Sequence, residues 1–207
     1  MELYVLLMEK LMTTNQEMVL HICITQLLME WLIKNQFYGI DDASVHFKES
    51  PGSGLGCFAS KDFDIGDLIF RIPQDCIISI RDAISTPSGT MLKSIASQYG
   101  QSKRLSAELM IWIFMCEQLY QQGSHFGPYL RSLDQTNFPS VALWPHNLKE
   151  SLAGTNIVAS IDHVDQNLKD KIAFIDEINR LSDSTVESLR SIDIQTLSWA
   201  FSHYVSR

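Results

Sequence analysis

Cysteine is scarce in this chain, with only Cys23, Cys57, Cys76 and Cys116 among 207 residues. No two lie close enough to form a zinc knuckle, and none stands at ligand spacing from a histidine. So few cysteines also exclude a disulfide framework, and buried, reduced thiols are the expected state. Basic charge is scarce as well. Lys and Arg number 16 against 24 Asp and Glu, for a net charge of −8. That balance excludes nucleic-acid phosphate as the main partner, because such binding rests on Lys and Arg displacing counterions. It is compatible with a basic peptide or a Lys-rich protein. No uninterrupted apolar run long enough to span a membrane is present. Residues 18–33 are apolar in bulk, but His21 and Glu30 break them, and a spanning helix wants about 20 apolar residues with few charges. The opening Met1-Glu2-Leu3-Tyr4 has no basic stretch of the kind that starts a signal peptide. The expectation is a protein with no membrane partner and no nucleic-acid partner, in the cytoplasm, the nucleus or both. The histidines (His21, His46, His125, His146, His163 and His203) show no metal-ligand spacing, so no metal is expected. Internal repeats, low-complexity runs and a clear linker are also missing.

What is present is enough apolar material for a sizeable core, with 45% hydrophobic and 19% charged residues. Three regions follow one another. In the first, Thr14 and Glu17 fit a capping box. Ile24, Leu27, Leu28, Trp31 and Leu32 then recur at spacings of three and four, on one helical face. Residues 1–13 carry no comparable signal.

The second region, about residues 42–80, reads as short strands. Ser44-Val45-His46-Phe47 alternates, and Leu68–Ile72 and Cys76–Ile80 are rich in strand formers. Asp64-Ile65-Gly66-Asp67 is a turn between them, with Gly66 free to take a positive φ. Pro73 should end its strand, since it has no N–H for the ladder.

The third region, from about residue 83, reads as helices. Residues 105–119 are apolar nearly all round, the mark of a helix buried on most sides. Val164, Leu168, Ile172, Ile175, Ile178 and Leu181 form a stripe at helical spacing, and Gly154 looks like a helix stop. Leu197, Ala200, Phe201, Tyr204 and Val205 form a final stripe. Trp112 and Trp199 lie on apolar helical stripes and are expected in the core.

The chemistry-bearing residues are few. Gly52, Gly54 and Gly56 fall in the phrase Pro51-Gly52-Ser53-Gly54-Leu55-Gly56-Cys57-Phe58-Ala59. Glycines let a backbone fold tightly and approach a ligand without Cβ interference. From periodicity alone, a glycine-rich hairpin turn and a ligand-binding loop are equally supported. The dinucleotide fingerprint is excluded, because it needs a helix after the glycines, and Cys57–Asp67 reads as strand and turn.

The order and spacing of several phrases go further. They are Gly54–Ala59, then Asp64–Ile69, then Ile72-Pro73, with Trp31-Leu32 ahead of them. Phe126–Leu133 follows with Pro139 and Trp144, then Leu152-Ala153-Gly154-Thr155, and finally Trp199-Ala200-Phe201 through Ser206-Arg207. From about residue 27 onward the chain resembles the SET-domain protein methyltransferases, in their RuBisCO large-subunit methyltransferase-like class.

The resemblance implies an α+β fold, with a partial SET β-sheet of short strands over about 44–80 and a mostly helical inserted region over about 83–207. The implied organisation is an N-terminal extension and helix over 1–26, the N-terminal part of the SET domain over 27–82, and the helical insert over 83–207. It implies S-adenosyl-L-methionine as cofactor and a lysine-bearing protein substrate, non-histone rather than histone. The lysine, deprotonated, would attack the methyl carbon in line with the departing sulfur, in a channel that works by positioning and desolvation. The residues matching the cofactor-binding positions are Ser53, Gly54, Leu55 and Gly56, with Arg207 matching an arginine that pairs with the cofactor carboxylate. The alternative for Arg207 is a solvated charge.

The family's Asn-His motif and its substrate-orienting tyrosine would fall after residue 207. No catalytic residue is therefore assigned, and the 207-residue chain is expected to be a truncated form with little activity of its own. The competing expectation is a non-catalytic protein-interaction module derived from a SET domain.

Overall fold

A computed structural model describes residues 26–39, 43–50, 54–133, 144–181, 189 and 192–205. The chain divides into two compact units, Met1–Ile77 and Ile78–Arg207.

In the first unit, helix α1 is described over residues 26–34 and buries Trp31 and Leu32. The proposed capping box at Thr14 and Glu17, and Ile24 of the apolar face, lie outside the described residues. Strands β1 (Val45–Ser50) and β2 (Gly54–Ala59) form an antiparallel hairpin in which Val45 faces Ala59 and Ser50 faces Gly54. Gly39 precedes it with φ +100°, and a Cβ there would run into the Ile69 carbonyl oxygen. Only glycine meets both demands. The expected turn over 64–67 forms: the Asp67 N–H donates to the Asp64 carbonyl (3.1 Å), and Gly66 takes φ +99°.

Two expected strands do not form. Among the described residues, the backbone of 68–72 pairs at one bridge, in which Tyr38 and Arg71 exchange N–H···O bonds of 3.2 and 3.3 Å. Leu68, Ile69, Phe70 and Ile72 remain exposed. Strand propensity is a fit to a pleated, half-buried surface, and among the described residues no second strand lies beside this segment. Residues 76–80 likewise do not extend into a strand. Gln74–Cys76 is one turn of 3₁₀ helix, and helix α2 (Ile80–Ser85) starts where a strand was expected. The reason is a capping box. Ser79 N–H donates to the Asp82 carboxylate (2.9 Å), while Asp82 N–H donates to Ser79 Oγ (3.4 Å). Those bonds satisfy orphan amides of the first turn and commit the chain to a helix.

The second unit is helical throughout its described residues. After α2 come α3 (Pro87–Gln98), α4 (Ala107–Tyr120), α5 (Gly127–Ser132), α6 (His146–Glu150), α7 (Ile157–Leu181) and α8 (Ile194–Val205). Thr86 and Ser106 cap α3 and α4, each hydroxyl accepting an N–H three residues on. Helix α4 is the centre. Leu109, Met110, Trp112, Ile113, Phe114, Met115, Cys116 and Leu119 are all buried, so it has no solvent face over most of its length. Helices α2, α5 and α8 pack around it. Trp112 meets Phe201 of α8 edge to face at 5.3 Å, and Phe114 meets Phe126 at 5.7 Å.

Helix α7 buries Leu168, Ile175 and Ile178 from its expected stripe, together with Ile161 and Phe174. Arg104 closes over it, with its guanidinium 4.8 Å from the Phe174 ring and 2.5 Å from Glu177. Helix α8 buries a wider face than its stripe suggested, Leu197–His203 in full, while Tyr204 and Val205 are exposed. Gly154 stands in a turn after α6 with φ +85°. Among the described residues, no helix is long and apolar enough to cross a membrane.

Candidate functional site

Gly54, Leu55 and Gly56 form the first half of β2. They pair with Ser50, Glu49 and Lys48 across the hairpin. Ser53 and Arg207, the other two sequence-assigned positions, lie outside the described residues. The strand period puts directly opposed residues on one face. His46, Phe58, Lys48 and Gly56 therefore share a face, with Val45, Phe47 and Cys57 on the other.

On the first face the Phe58 ring folds back toward Gly56. A Cβ added at Gly56 would lie 2.9 Å from the ring edge, so the missing side chain is what makes room for the ring. Above the same ring sit the Lys48 ammonium, 4.2 Å from its centroid, and the His46 imidazole, stacked at 5.9 Å. His46 Nδ1 is 2.8 Å from Ser60 Oγ. That pair is exposed, and among the described residues no carboxylate is seen to orient the imidazole as the third member that activates a hydroxyl nucleophile. Cys57 is also unsuited to nucleophilic work. It is exposed rather than buried as expected of the cysteines, and desolvation pushes its thiol above the ordinary value, away from the thiolate that attacks.

Among the described residues no further strand pairs with β2, so alternate backbone N–H and C=O groups along 54–59 have no strand partner there. Of the glycines on that edge, Gly56 is covered by the Phe58 ring, and Gly54 at its start is the position whose backbone carries no Cβ to hinder a ligand. The open edge is what a backbone-recognised ligand requires. Sequence reading singled out the glycines but not His46, Lys48 or Phe58. Their shared face follows from the hairpin register, which only the position of the turn fixes.

No protein-family model matches the chain, and no curated protein matches it. Solved structures do. A crystal structure of the SET domain of LSMT bound to lysine and AdoHcy superposes with a TM-score of 0.67 at 19% identity, over 86% of this chain and 37% of the other. The structure of Rubisco LSMT bound to sinefungin and monomethyllysine gives the same score and identity over 39% of its chain. So does Rubisco LSMT bound to AdoMet. The chain has a partial SET fold. It spans less than two-fifths of the length of these neighbours. At this identity the likeness speaks for the fold and leaves the chemistry to be argued from residues.

Proposed function

We propose that the chain is part of an S-adenosylmethionine-dependent protein-lysine N-methyltransferase of the SET type. The observation that carries this reading is the superposition on SET domains at TM-score 0.67 over 86% of the chain. The neighbours hold AdoMet, AdoHcy, lysine or methyllysine, which supports a methyl-group donor and a lysine-bearing protein as this chain's ligands. The proposal takes that protein to be non-histone, and the place of action to be the cytoplasm, the nucleus or both.

S-adenosylmethionine, when bound, supplies the transferable methyl group. The residues of this chain that would hold it are the backbone of Ser53, Gly54, Leu55 and Gly56, with Arg207 for its carboxylate. The edge of β2, which no further strand pairs with among the described residues, and Gly54 at its start fit such a role. The catalytic groups of the domain are proposed to lie outside these 207 residues, and the 207-residue chain by itself to turn over little. In the proposed organisation, residues 27–82 are the N-terminal part of the SET domain and 83–207 its helical insert.

Calorimetric titration of S-adenosylhomocysteine into the purified chain tests the site, beside a Gly54→Asp variant of matched circular dichroism. Saturable binding that the variant loses supports the glycine edge as a cofactor surface. Absence of binding by the folded chain favours the second reading, a non-catalytic interaction module built on a SET fold. The observation favouring that second reading is a groove in the helical unit.

A further inference from the structure

The helical unit contains a cavity of about 380 Å³ lined by Ile80, Ile84, Lys93, Ser97, Ser102, Leu105, Ala107 and Met110. Its walls come from three helices and a turn. Ile80 and Ile84 stand one turn apart on α2, Lys93 and Ser97 one turn apart on α3, and Ala107 and Met110 on α4, with Ser102 and Leu105 in the connection. The isoleucines, Leu105 and Met110 make an apolar floor. Lys93, Ser97 and Ser102 are exposed, so they form a polar rim open to solvent. Among the described residues no hydrogen bond or ion pair engages the Lys93 ammonium or either rim hydroxyl. An ammonium and two hydroxyls are a donor set that suits a carboxylate.

Charge around the groove points the same way. In a chain of net charge −8, the stretch from residue 80 to 107 carries Arg81, Lys93, Lys103 and Arg104 against Asp82 alone. Asp82 is held by Ser79, and Arg104 by Glu177. The nearest further acid along the chain is Glu108, at the start of α4. With Arg104 paired to Glu177, Asp82 beside Arg81 and Glu108 next to Ala107, only a slight positive excess remains, and Lys93 on the rim is the cation that favours an anionic group on the partner. The volume fits one large apolar side chain with its flanking backbone, within the usual range of ligand pockets.

We propose that this groove docks a short peptide segment of a partner protein, one that sets a large apolar side chain beside a carboxylate. The apolar side chain enters between α2 and α4, and the carboxylate meets Lys93 and the two serines. The site is separate from the glycine edge of the methyltransferase reading and does not depend on it.

The test is fluorescence anisotropy with the full chain and a fluorescein-labelled GELFDG amide, alongside a GKLFKG control. The acidic peptide should bind saturably and the basic control should not. Lys93→Glu should weaken binding about tenfold, because reversal replaces an attraction with a repulsion, and added salt should narrow the difference. Ala107→Trp, at an exposed position at the start of α4, should block the groove while the helical circular dichroism is kept. Both variants should bind S-adenosylhomocysteine as the parent does, so failure here and failure of the methyltransferase reading are separable. The proposal is overturned if neither peptide binds, if both bind alike, or if binding survives both substitutions.

Discussion

Gly89 offers a sharp test of how tightly α2 and α3 are packed. In an isolated helix, Gly→Ala is favourable by about 1 kcal/mol, because alanine surrenders less backbone freedom. Position 89 lies in the first turn of α3, its N–H donating to Thr86 Oγ1 at 3.0 Å. A Cβ there would overlap the Ala83 carbonyl oxygen, and would lie 2.9 Å from the Ala83 carbonyl carbon and 3.1 Å from the Ile84 Cα. All three atoms belong to the α2 backbone, which cannot step aside as a flexible side chain would. Moving α2 would also disturb the Thr86 hydroxyl bond to the same Ala83 carbonyl (3.0 Å).

Overpacking of this kind costs about 1–3 kcal/mol. Set against the propensity gain, Gly89→Ala should destabilise the chain by up to about 2 kcal/mol, toward the top of that range because the overlap is with backbone. Urea unfolding followed by tryptophan fluorescence reads this unit, since Trp112 and Trp199 are buried within it. The midpoint should fall, and the melting temperature should drop by about 2–4 °C for each kcal/mol. Ser94→Ala, on an exposed position of the same helix, is the control and should be neutral or slightly stabilising. A Gly89→Ala protein at least as stable as its parent would refute the reasoning, because it would mean the two helices separate at negligible cost.

Phe174 is fully buried on α7 beneath the Arg104 guanidinium, so Phe174→Ala should cost about 3–5 kcal/mol, read as a lowered denaturant midpoint. Asp193 caps α8 by accepting the Thr196 N–H at 2.7 Å, and that bond holds its carboxyl below the ordinary value. Asp193→Ala should therefore cost about 1 kcal/mol near neutral pH. Because the folded-state value is the lower one, the cap's contribution is complete above the ordinary aspartate range of about 3.9. It fades as pH falls through the folded-state value. Parent and variant should converge in stability on acidification, which thermal melts across a pH series would show.

The helices were legible because each carries a local pattern strong enough to outlast its surroundings. Helix α4 is apolar on nearly every face, and it ends up enclosed on most sides. The stripe on α7 named Leu168, Ile175 and Ile178 correctly. It passed over Phe174, whose ring lies under the Arg104 guanidinium from a turn some seventy residues earlier, a contact that no local pattern signals. The expected strand at 76–80 failed against a signal that was present in the sequence. Ser79-Ile80-Arg81-Asp82 is itself a capping box, and two side-chain-to-backbone bonds outweigh a run of β-branched residues that has no sheet to join.

The segment 68–72 makes the more general physical point. Its residues favour a strand, yet a strand's hydrogen bonds belong to its neighbour, and here only Arg71 has one. Propensity could state the preference and could not supply the partner. The same division explains the two candidate sites. The glycine edge was readable because its residues are contiguous, and any fold that makes a hairpin there brings them together. The groove was not readable, because Ile80, Lys93 and Met110 meet only after three helices have packed. Among the described residues of the first unit, Trp31, Leu32 and Val45 are the large apolar side chains that are buried, while Ile65 through Ile77 leave several exposed. Among the described residues, the first unit therefore offers little burial to hold the hairpin, whereas the described helices of the second unit close around α4. Elements that bind ligands are commonly drawn from the less stable end of a structure, and a ligand that binds only the folded form stabilises what it binds. Cofactor binding at the glycine edge should accordingly be felt as added stability of the first unit, while peptide binding in the groove meets a surface already formed.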